Sequence, residues 1–264
     1  MSYQIQRLTF GGILDQAMRL MRDHFVTLTA GMITVFVPFQ LLGYAAKAGR
    51  VAGERPSAGQ LIAYGLLWLL MFAVLLPFAQ LMVTVAITDC YLGKPIDVVG
   101  SVHKAVALFR PYFGTTLLAG LAMIGALFLF ILPGLYFMVC WALMGPVMVV
   151  EHVYGKAALK RSRALVKGYF GHTGSLLFVS GFLATLVSSG LQAVLGMIPW
   201  LGAALSGAVS GIVSTYTSAV MVVLYIDLRC RHENFDLQLM AAQVAAIGGE
   251  PSNARSGDIN APAA

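Results

Sequence analysis

The sequence is poor in charged residues. Only 11% of its 264 residues are Asp, Glu, Lys or Arg, compared with roughly 25% in an ordinary soluble domain. Hydrophobic residues make up 59%, and a water-soluble fold of this size could not cover its surface with so few charges. The apolar residues must therefore face lipid, and the composition predicts an all-α integral membrane protein.

Cysteine is also scarce, which limits the metal and disulfide chemistry that the chain could support. Cys90, Cys140 and Cys230 lack the spacing of a metal-binding motif, and their odd number argues against a disulfide framework. The five histidines contain no HxH or HxxxH pair. We therefore expect no bound metal and no cofactor.

Motifs for catalysis are missing as well. The sequence contains no recognisable nucleophile motif, and glycine-rich segments such as 171–174 lack a phosphate-loop pattern. We predict that the chain is not an enzyme. Residues 1–24 contain no apolar run long enough for a cleavable signal peptide, so we expect the first span to act as its own signal.

Long uncharged stretches are what the sequence does contain. Asp, Glu, Lys and Arg are absent from residues 25–46, 56–88, 111–150 and 168–226. A helix of about 20 apolar residues crosses a bilayer, so the first two stretches accommodate one span each. The last two are long enough for two spans each, and prolines interrupt them at Pro133 and Pro199. The pattern predicts six transmembrane helices.

The basic residues predict how these spans are oriented. If each of the two longest stretches forms a hairpin, 14 of the 17 Lys and Arg residues fall in segments 1–24, 88–112, 151–170 and 227–264. The positive-inside rule then predicts that both termini lie in the cytoplasm. Because the net charge of +6 lies beside apolar spans, it indicates membrane orientation, and we expect no nucleic-acid partner.

A basic, amphipathic segment precedes three of the spans, which indicates a threefold internal repeat. The segments cover residues 12–24, 94–110 and 156–168, and each has apolar residues at helical spacing. We predict three helices that lie along the cytoplasmic face with their apolar sides toward the lipid. The predicted organisation is a membrane domain at 1–239, with repeats at about 8–88, 89–150 and 151–227, and a disordered cytoplasmic tail at 240–264.

Each even-numbered span ends in an acidic residue, namely Asp89, Glu151 or Asp227. In one interpretation, each acid pairs with a cation of the next amphipathic helix and fixes its angle. In the other, the acids are simply solvated, since exposed ion pairs contribute only ~0–1 kcal/mol. The sequence leaves both interpretations open.

Polar side chains inside the predicted spans are the usual indicators of function in lipid. Gln80, Gln192 and Tyr216 are of this kind, whereas no Asp, Glu, Lys, Arg or His lies deep in a span. The lack of such a residue argues against a proton- or ion-coupled carrier. The three polar residues indicate either a polar path through the bundle or hydrogen bonds between packed helices.

Parts of the sequence resemble a bacterial membrane family. The segment 132–151, which begins Leu132-Pro133-Gly134, and the segment 155–168, which contains Leu159-Lys160-Arg161-Ser162, are the most similar. The family is the membrane domain associated with some glycerophosphoryl diester phosphodiesterases, together with its stand-alone relatives. The phosphodiesterase activity belongs to a separate soluble barrel, for which this chain has no room. The resemblance covers roughly residues 6–237 and implies a non-enzymatic, polytopic module of the bacterial inner membrane.

The densest group of cations lies in the third amphipathic segment and consists of Lys156, Lys160, Arg161, Arg163 and Lys167. Each cation near an anionic membrane surface contributes roughly 1 kcal/mol of attraction. We predict that these residues contact anionic lipid or a protein partner, and the partner could be a second copy of the chain. The predicted role is lipid handling, membrane organisation or scaffolding. The alternatives are a transporter or channel-like protein that moves a small or lipidic substrate between the repeats, and cations that only set topology during insertion.

Overall fold

A computed structural model describes residues 8–51, 57–91, 98–129 and 131–233 of the chain. Regular structure in these ranges is helical, which confirms the predicted all-α fold. The predicted tail at 240–264 and the start of the second amphipathic segment lie outside the described residues. The helices are α1 (Phe10–Asp23), α2 (Phe25–Val51), α3 (Ala58–Leu70), α4 (Leu76–Tyr91), α5 (Val98–Leu129), α6 (Ile131–Trp141), α7 (Met144–Val150), α8 (Lys156–Val166), α9 (Phe170–Leu195) and α10 (Trp200–Glu233).

Six helical segments in the described ranges are long and apolar enough to cross a membrane, as predicted. The shortest has 19 residues, which gives about 28 Å at 1.5 Å per residue and matches a ~30 Å hydrocarbon layer. The chain is thus a multi-pass helical membrane protein. The spans are Phe25–Lys47, Ala58–Tyr91, Val99–Phe128, Leu132–Val150, Phe170–Leu195 and Trp200–Glu233.

Prolines modify two of these spans. Proline lacks an amide hydrogen, and its ring displaces the carbonyl group four residues earlier. A π-helical turn, Met71–Leu75, ends just before Pro77 and joins α3 to α4 in one span. Pro146 acts in the same way on Ala142, and the fourth span breaks at Ala142 and Leu143 between α6 and α7.

Two of the three predicted amphipathic segments are separate helices, α1 and α8. The prediction of a separate second helix is wrong, because the described part of 94–110 forms the first turns of α5. That helix continues through Pro111, and the Thr115 hydroxyl donates a hydrogen bond to the Pro111 carbonyl at 2.8 Å. With 32 residues, α5 is about 48 Å long, so its first turns extend beyond the hydrocarbon layer.

Much of the apolar side of α1 and of α8 is buried against protein, whereas the prediction had these sides facing lipid. Ile13 and Leu20 of α1 are fully buried, as is Ala158 of α8. The α1 helix packs on α9 and α10, while α8 packs on α6, α7 and α10. These two helices, the first turns of α5 and the last turns of α10 form one end of the bundle, which we call the basic end.

The bundle is dense at the basic end and less covered at the opposite end. The central helix α10 packs against α1, α2, α4, α7, α8 and α9. Large buried side chains such as Tyr91 and Tyr225 lie toward the basic end, whereas Leu66 and Met197 are exposed toward the opposite end. Gly207 lets α10 approach α2 closely, since a Cβ atom there would lie 2.6 Å from Val37 Cα.

Candidate functional site

The α8 helix carries the predicted contact cations, and glycines fix both of its ends. It begins after Gly155, whose φ of +64° is unfavourable for a residue with a side chain. The Gly155 amide donates a hydrogen bond to Thr115 Oγ1 of α5 at 2.7 Å. Gly168, with a φ of +90°, turns the chain from α8 into α9. The orientation of α8 is therefore set by its connections.

The buried side of α8 contacts the broken fourth span. Ser162 is fully buried and donates a hydrogen bond from Oγ to the Cys140 carbonyl at 2.7 Å. Because α6 ends one residue later, its last carbonyl groups lack the partners that a continuous helix would supply. The Ser162 hydroxyl satisfies one of them. This contact determines that the cations on the other side of α8 face outward.

An ion-pair network surrounds Arg161 at the basic end. Arg161 binds the Glu151 carboxylate through Nε at 2.7 Å and Nη2 at 3.0 Å, and Nη2 also contacts Glu233. Arg229 Nε binds Glu233 at 3.0 Å. The Tyr225 hydroxyl donates to Glu151 Oε1 at 2.9 Å. The network connects the end of the fourth span, α8 and α10.

This network separates Arg161 from the other predicted contact residues. The hydrogen bonds from Arg161 to Glu151 raise the pKa of the Arg161 guanidinium, and burial lowers it. The hydrogen bond to Glu233 raises this pKa further. The side chain is only 29% exposed. Arg161 therefore remains charged and is committed to two carboxylates, which gives it a structural role.

The other four predicted cations are exposed. Two of them lie at a cleft of about 230 Å³. Arg163 and Lys167 line this cleft, and the Arg163 guanidinium lies 5.7 Å from the centroid of the Tyr136 ring, a cation–π distance. The Tyr136 ring stacks on Phe170, which also lines the cleft. We call this the α8 cleft. Lys156 and Lys160 lie exposed on the same helix.

The composition of the α8 cleft determines what it can bind. Guanidinium and ammonium groups bind phosphate oxygens well, in particular when they are held in a fixed geometry. The rings of Tyr136 and Phe170 add apolar surface beside the two cations. The cleft therefore suits a phosphate that is attached to an apolar group.

Two of the three span-end acids pair with a cation of the segment that follows, and the third pairs with a cation of its own helix. Asp89 pairs with Lys104 at 2.6 Å, and Glu151 pairs with Arg161. Asp227 is fully buried, pairs with Arg231 at 2.7 Å and accepts a hydrogen bond from the Leu8 amide at 2.7 Å. Because Leu8 precedes α1, Asp227 connects the last predicted repeat to the first. These contacts favour the pairing interpretation over solvated acids.

Of the three residues predicted for a polar path, two make contacts inside the bundle and the third lines a cleft. Gln80 of α4 donates a hydrogen bond to Ser218 Oγ of α10 at 2.7 Å. Tyr216 packs against the apolar core. Gln192 lies 3.4 Å from Ser210 Oγ and lines a cleft of about 580 Å³ between α2, α3, α9 and α10, toward the end opposite the basic end. We call this second cavity the far cleft.

Within the described ranges, no group of three or more His, Cys, Asp and Glu side chains is arranged to bind a metal ion. The three cysteines are buried and form no disulfide. The Cys140 carbonyl accepts the hydrogen bond from Ser162, and Cys140 also lines the α8 cleft. The clefts and the ion-pair network are thus the features of interest.

Several residues of the ion-pair network and of the clefts were not predicted from the sequence. Tyr225, Arg229 and Glu233 recur at intervals of four, which places them on one face of a helix, and this spacing could have revealed the network. Nothing in the spacing connects Tyr136 with Arg163, since the break in the fourth span determines how they meet. For the far cleft, the sequence indicated one lining residue, Gln192, but it did not indicate where the cleft lies.

Comparison with known protein families places part of this chain in a family. The model of a family described as "Domain of unknown function (DUF8558)" matches residues 98–260, more than half of the chain. The matched range begins at α5 and contains the α8 cleft. No curated protein and no solved structure matches this chain.

Proposed function

The chain belongs to the family described as a domain of unknown function (DUF8558), and we propose that it is a non-enzymatic module that binds anionic lipid at the α8 cleft. In this proposal the basic end lies at the cytoplasmic face of a bacterial inner membrane, and the module acts in lipid handling or membrane organisation. The resemblance to the membrane domain of certain phosphodiesterases supports the cellular location.

The observation that supports the proposal is the outward arrangement of four cations, three on α8 and one directly after it. Arg161 satisfies the acids Glu151 and Glu233, whereas Lys156, Lys160, Arg163 and Lys167 remain exposed. Contacts at Gly155 and Ser162 fix the helix before a ligand arrives. Such preorganisation lowers the entropy cost of binding. A pure topology signal would require neither a fixed helix nor a cleft.

The first prediction concerns the double variant R163Q/K167Q, compared with R19Q/R22Q. Both variants lose two exposed cations at the basic end, but only the first changes the α8 cleft. At roughly 1 kcal/mol per cation, we expect phosphatidylglycerol to bind R163Q/K167Q up to about thirtyfold more weakly at low salt. The difference should decrease at high salt because of screening. Native mass spectrometry in mild detergent measures the retained lipid.

The control variant R19Q/R22Q should retain phosphatidylglycerol as the parent protein does. Equal losses in both variants would show that only total charge matters. If neither variant loses lipid, the cations serve topology and the proposal is wrong.

Transport of a lipidic substrate is a second candidate, and the far cleft favours it. This cleft lies toward one end of the bundle. The ion-pair network connects α8 and α10 at the other end, the basic end. An alternating mechanism would require that network to open. Movement of a fluorescent phosphatidylglycerol across proteoliposomes should then be faster for E151Q than for the parent protein. No movement above that of protein-free liposomes, for either protein, would exclude this candidate.

A further inference from the structure

We propose that the far cleft binds one anionic phospholipid from the leaflet opposite the basic end. Its phosphate lies near Lys47, and one of its acyl chains follows α2 toward the bilayer centre. This site is distinct from the α8 cleft and lies at the other end of the bundle.

The position of Lys47 along α2 supports the assignment of the leaflet. The helix begins at Phe25, next to α1 at the basic end. Lys47 lies 22 residues further on, about 33 Å at 1.5 Å per residue. This distance slightly exceeds the ~30 Å thickness of the hydrocarbon layer, so the ammonium group reaches the opposite headgroup region.

The polarity of the lining changes along α2. Toward the basic end, Val35 and Phe36 line a narrow apolar groove of about 20 Å³ together with Met71 and Phe72 of the π-helical turn. Phe39 lines both this groove and the far cleft. The far cleft then continues along the same face of α2 through Gln40, Gly43, Tyr44 and Lys47.

This gradient matches the shape of a lipid that is oriented with the bilayer. The groove is narrow, so an acyl chain lies along it with its other side in the surrounding lipid. Access from the side is open, because none of the residues of α3 is buried. The larger volume of about 580 Å³ lies beside α2 between Phe39 and Lys47 and is within the roughly 300–1,000 Å³ typical of ligand sites.

Charge complementarity indicates that the headgroup is anionic. Among the described residues that line the far cleft, Lys47 is the one charged residue and none carries a carboxylate. Gln40, Gln192 and Ser206 offer further hydrogen-bonding groups beside it. A soluble anion would use the same cation but would gain nothing from the adjoining apolar groove. These features together favour a phospholipid.

Two variants test the site, each with a matched control. K47Q removes the charge, and K47R retains it. G43L fills the cleft, since a Cβ atom at Gly43 has no heavy atom within 4 Å. G120L makes the same substitution at another open glycine, on exposed α5 outside the cleft. Native mass spectrometry counts the phosphatidylglycerol and phosphatidylcholine molecules that each variant retains.

We expect K47Q to bind phosphatidylglycerol about fivefold more weakly, and G43L to lose one bound molecule. K47R and G120L should match the parent protein, and phosphatidylcholine should not replace the lost lipid. Equal retention in K47Q, G43L and the parent protein would overturn the inference. Because R163Q/K167Q affects the other end of the bundle, it should leave the lipid that depends on Lys47 in place, so the two proposals can fail separately.

Discussion

Single side chains at the basic end position whole helices, and Ser162 is the clearest case. Its hydroxyl is the partner of the Cys140 carbonyl in a buried position. We predict that S162A lowers the free energy of unfolding by about 1–3 kcal/mol, because the carbonyl loses its partner. The loosened contact should also make the Cys140 thiol react faster with an alkylating reagent, which peptide mass analysis measures.

Ser189 provides the control for this variant. Its hydroxyl donates to the Thr185 carbonyl of its own helix at 2.7 Å in an exposed position, so S189A should change stability by less than about 0.5 kcal/mol. Unchanged stability and Cys140 labelling in S162A would show that other contacts position α8.

Arg161 and Arg163 are two residues apart on α8, and the structure gives them different roles. R161Q removes one of the two cations that Glu151 and Glu233 share, while Arg229 remains beside both. We expect a loss of about 2 kcal/mol in the free energy of unfolding. This is less than the 3–5 kcal/mol of a fully buried pair, because the side chain is 29% exposed. R163Q should lower lipid retention with little effect on stability. Unfolding in detergent and native mass spectrometry, applied to both variants, measure the two effects; identical phenotypes would contradict this division.

At the scale of helices, the features that could be predicted from the sequence are those determined by the length of uncharged stretches and by helical spacing. The six spans and the helices α1 and α8 follow from uncharged length and helical spacing. The sequence did not predict that Pro111 lies inside one helix while Pro146 breaks another. Proline costs a helix one hydrogen bond in both cases, and tertiary contacts such as that of Ser162 determine whether the helix continues. Those contacts join residues that are distant in sequence.

The buried carboxylate of Asp227 attaches α1 to the bundle, and this leads to a prediction about α1 as an element. Asp227 accepts from the Leu8 amide and pairs with Arg231, which also binds the Leu8 carbonyl. In D227N the charge that orients Arg231 is lost. We expect amide hydrogen exchange in α1 to become roughly tenfold faster, which corresponds to about 1.4 kcal/mol of local stability.

An exposed acid on α1 itself provides the comparison. Asp15 pairs with Arg19 at 3.0 Å, but both side chains are more than 60% exposed. D15N should leave the exchange of α1 unchanged, since such pairs contribute little. Equal effects of D227N and D15N would mean that Asp227 does not anchor the helix.

For the molecule as a whole, the acid contacts suggest a closed arrangement of three units. Asp89 contacts the second segment, Glu151 the third, and Asp227 the backbone just before the first. The threefold repeat itself stays a prediction, because the second amphipathic segment continues into its span and the fourth span is broken. The sequence revealed the acids and the cations but not the contact from Asp227 to Leu8, because a backbone amide has no sequence signature.

The orientation of the molecule in the membrane is the prediction on which the assignment of both clefts to leaflets depends. The positive-inside rule places the basic end in the cytoplasm. Leu132 and Met197 lie near the turns of two hairpins, both at the end of the bundle opposite the basic end, and are 79% and 85% exposed. Lys160 is exposed on α8 at the basic end. With the three native cysteines replaced, L132C and M197C should react with a membrane-impermeant thiol reagent on intact cells, and K160C only after permeabilisation.

Gly134 is a poorer position for a cysteine, because a Cβ atom there would lie 2.8 Å from Leu127. If L132C reacted only from the same side as K160C, the third and fourth spans would not form a hairpin across the bilayer. If all three reactivities were reversed, the α8 cleft would face the outer leaflet and the far cleft the inner one.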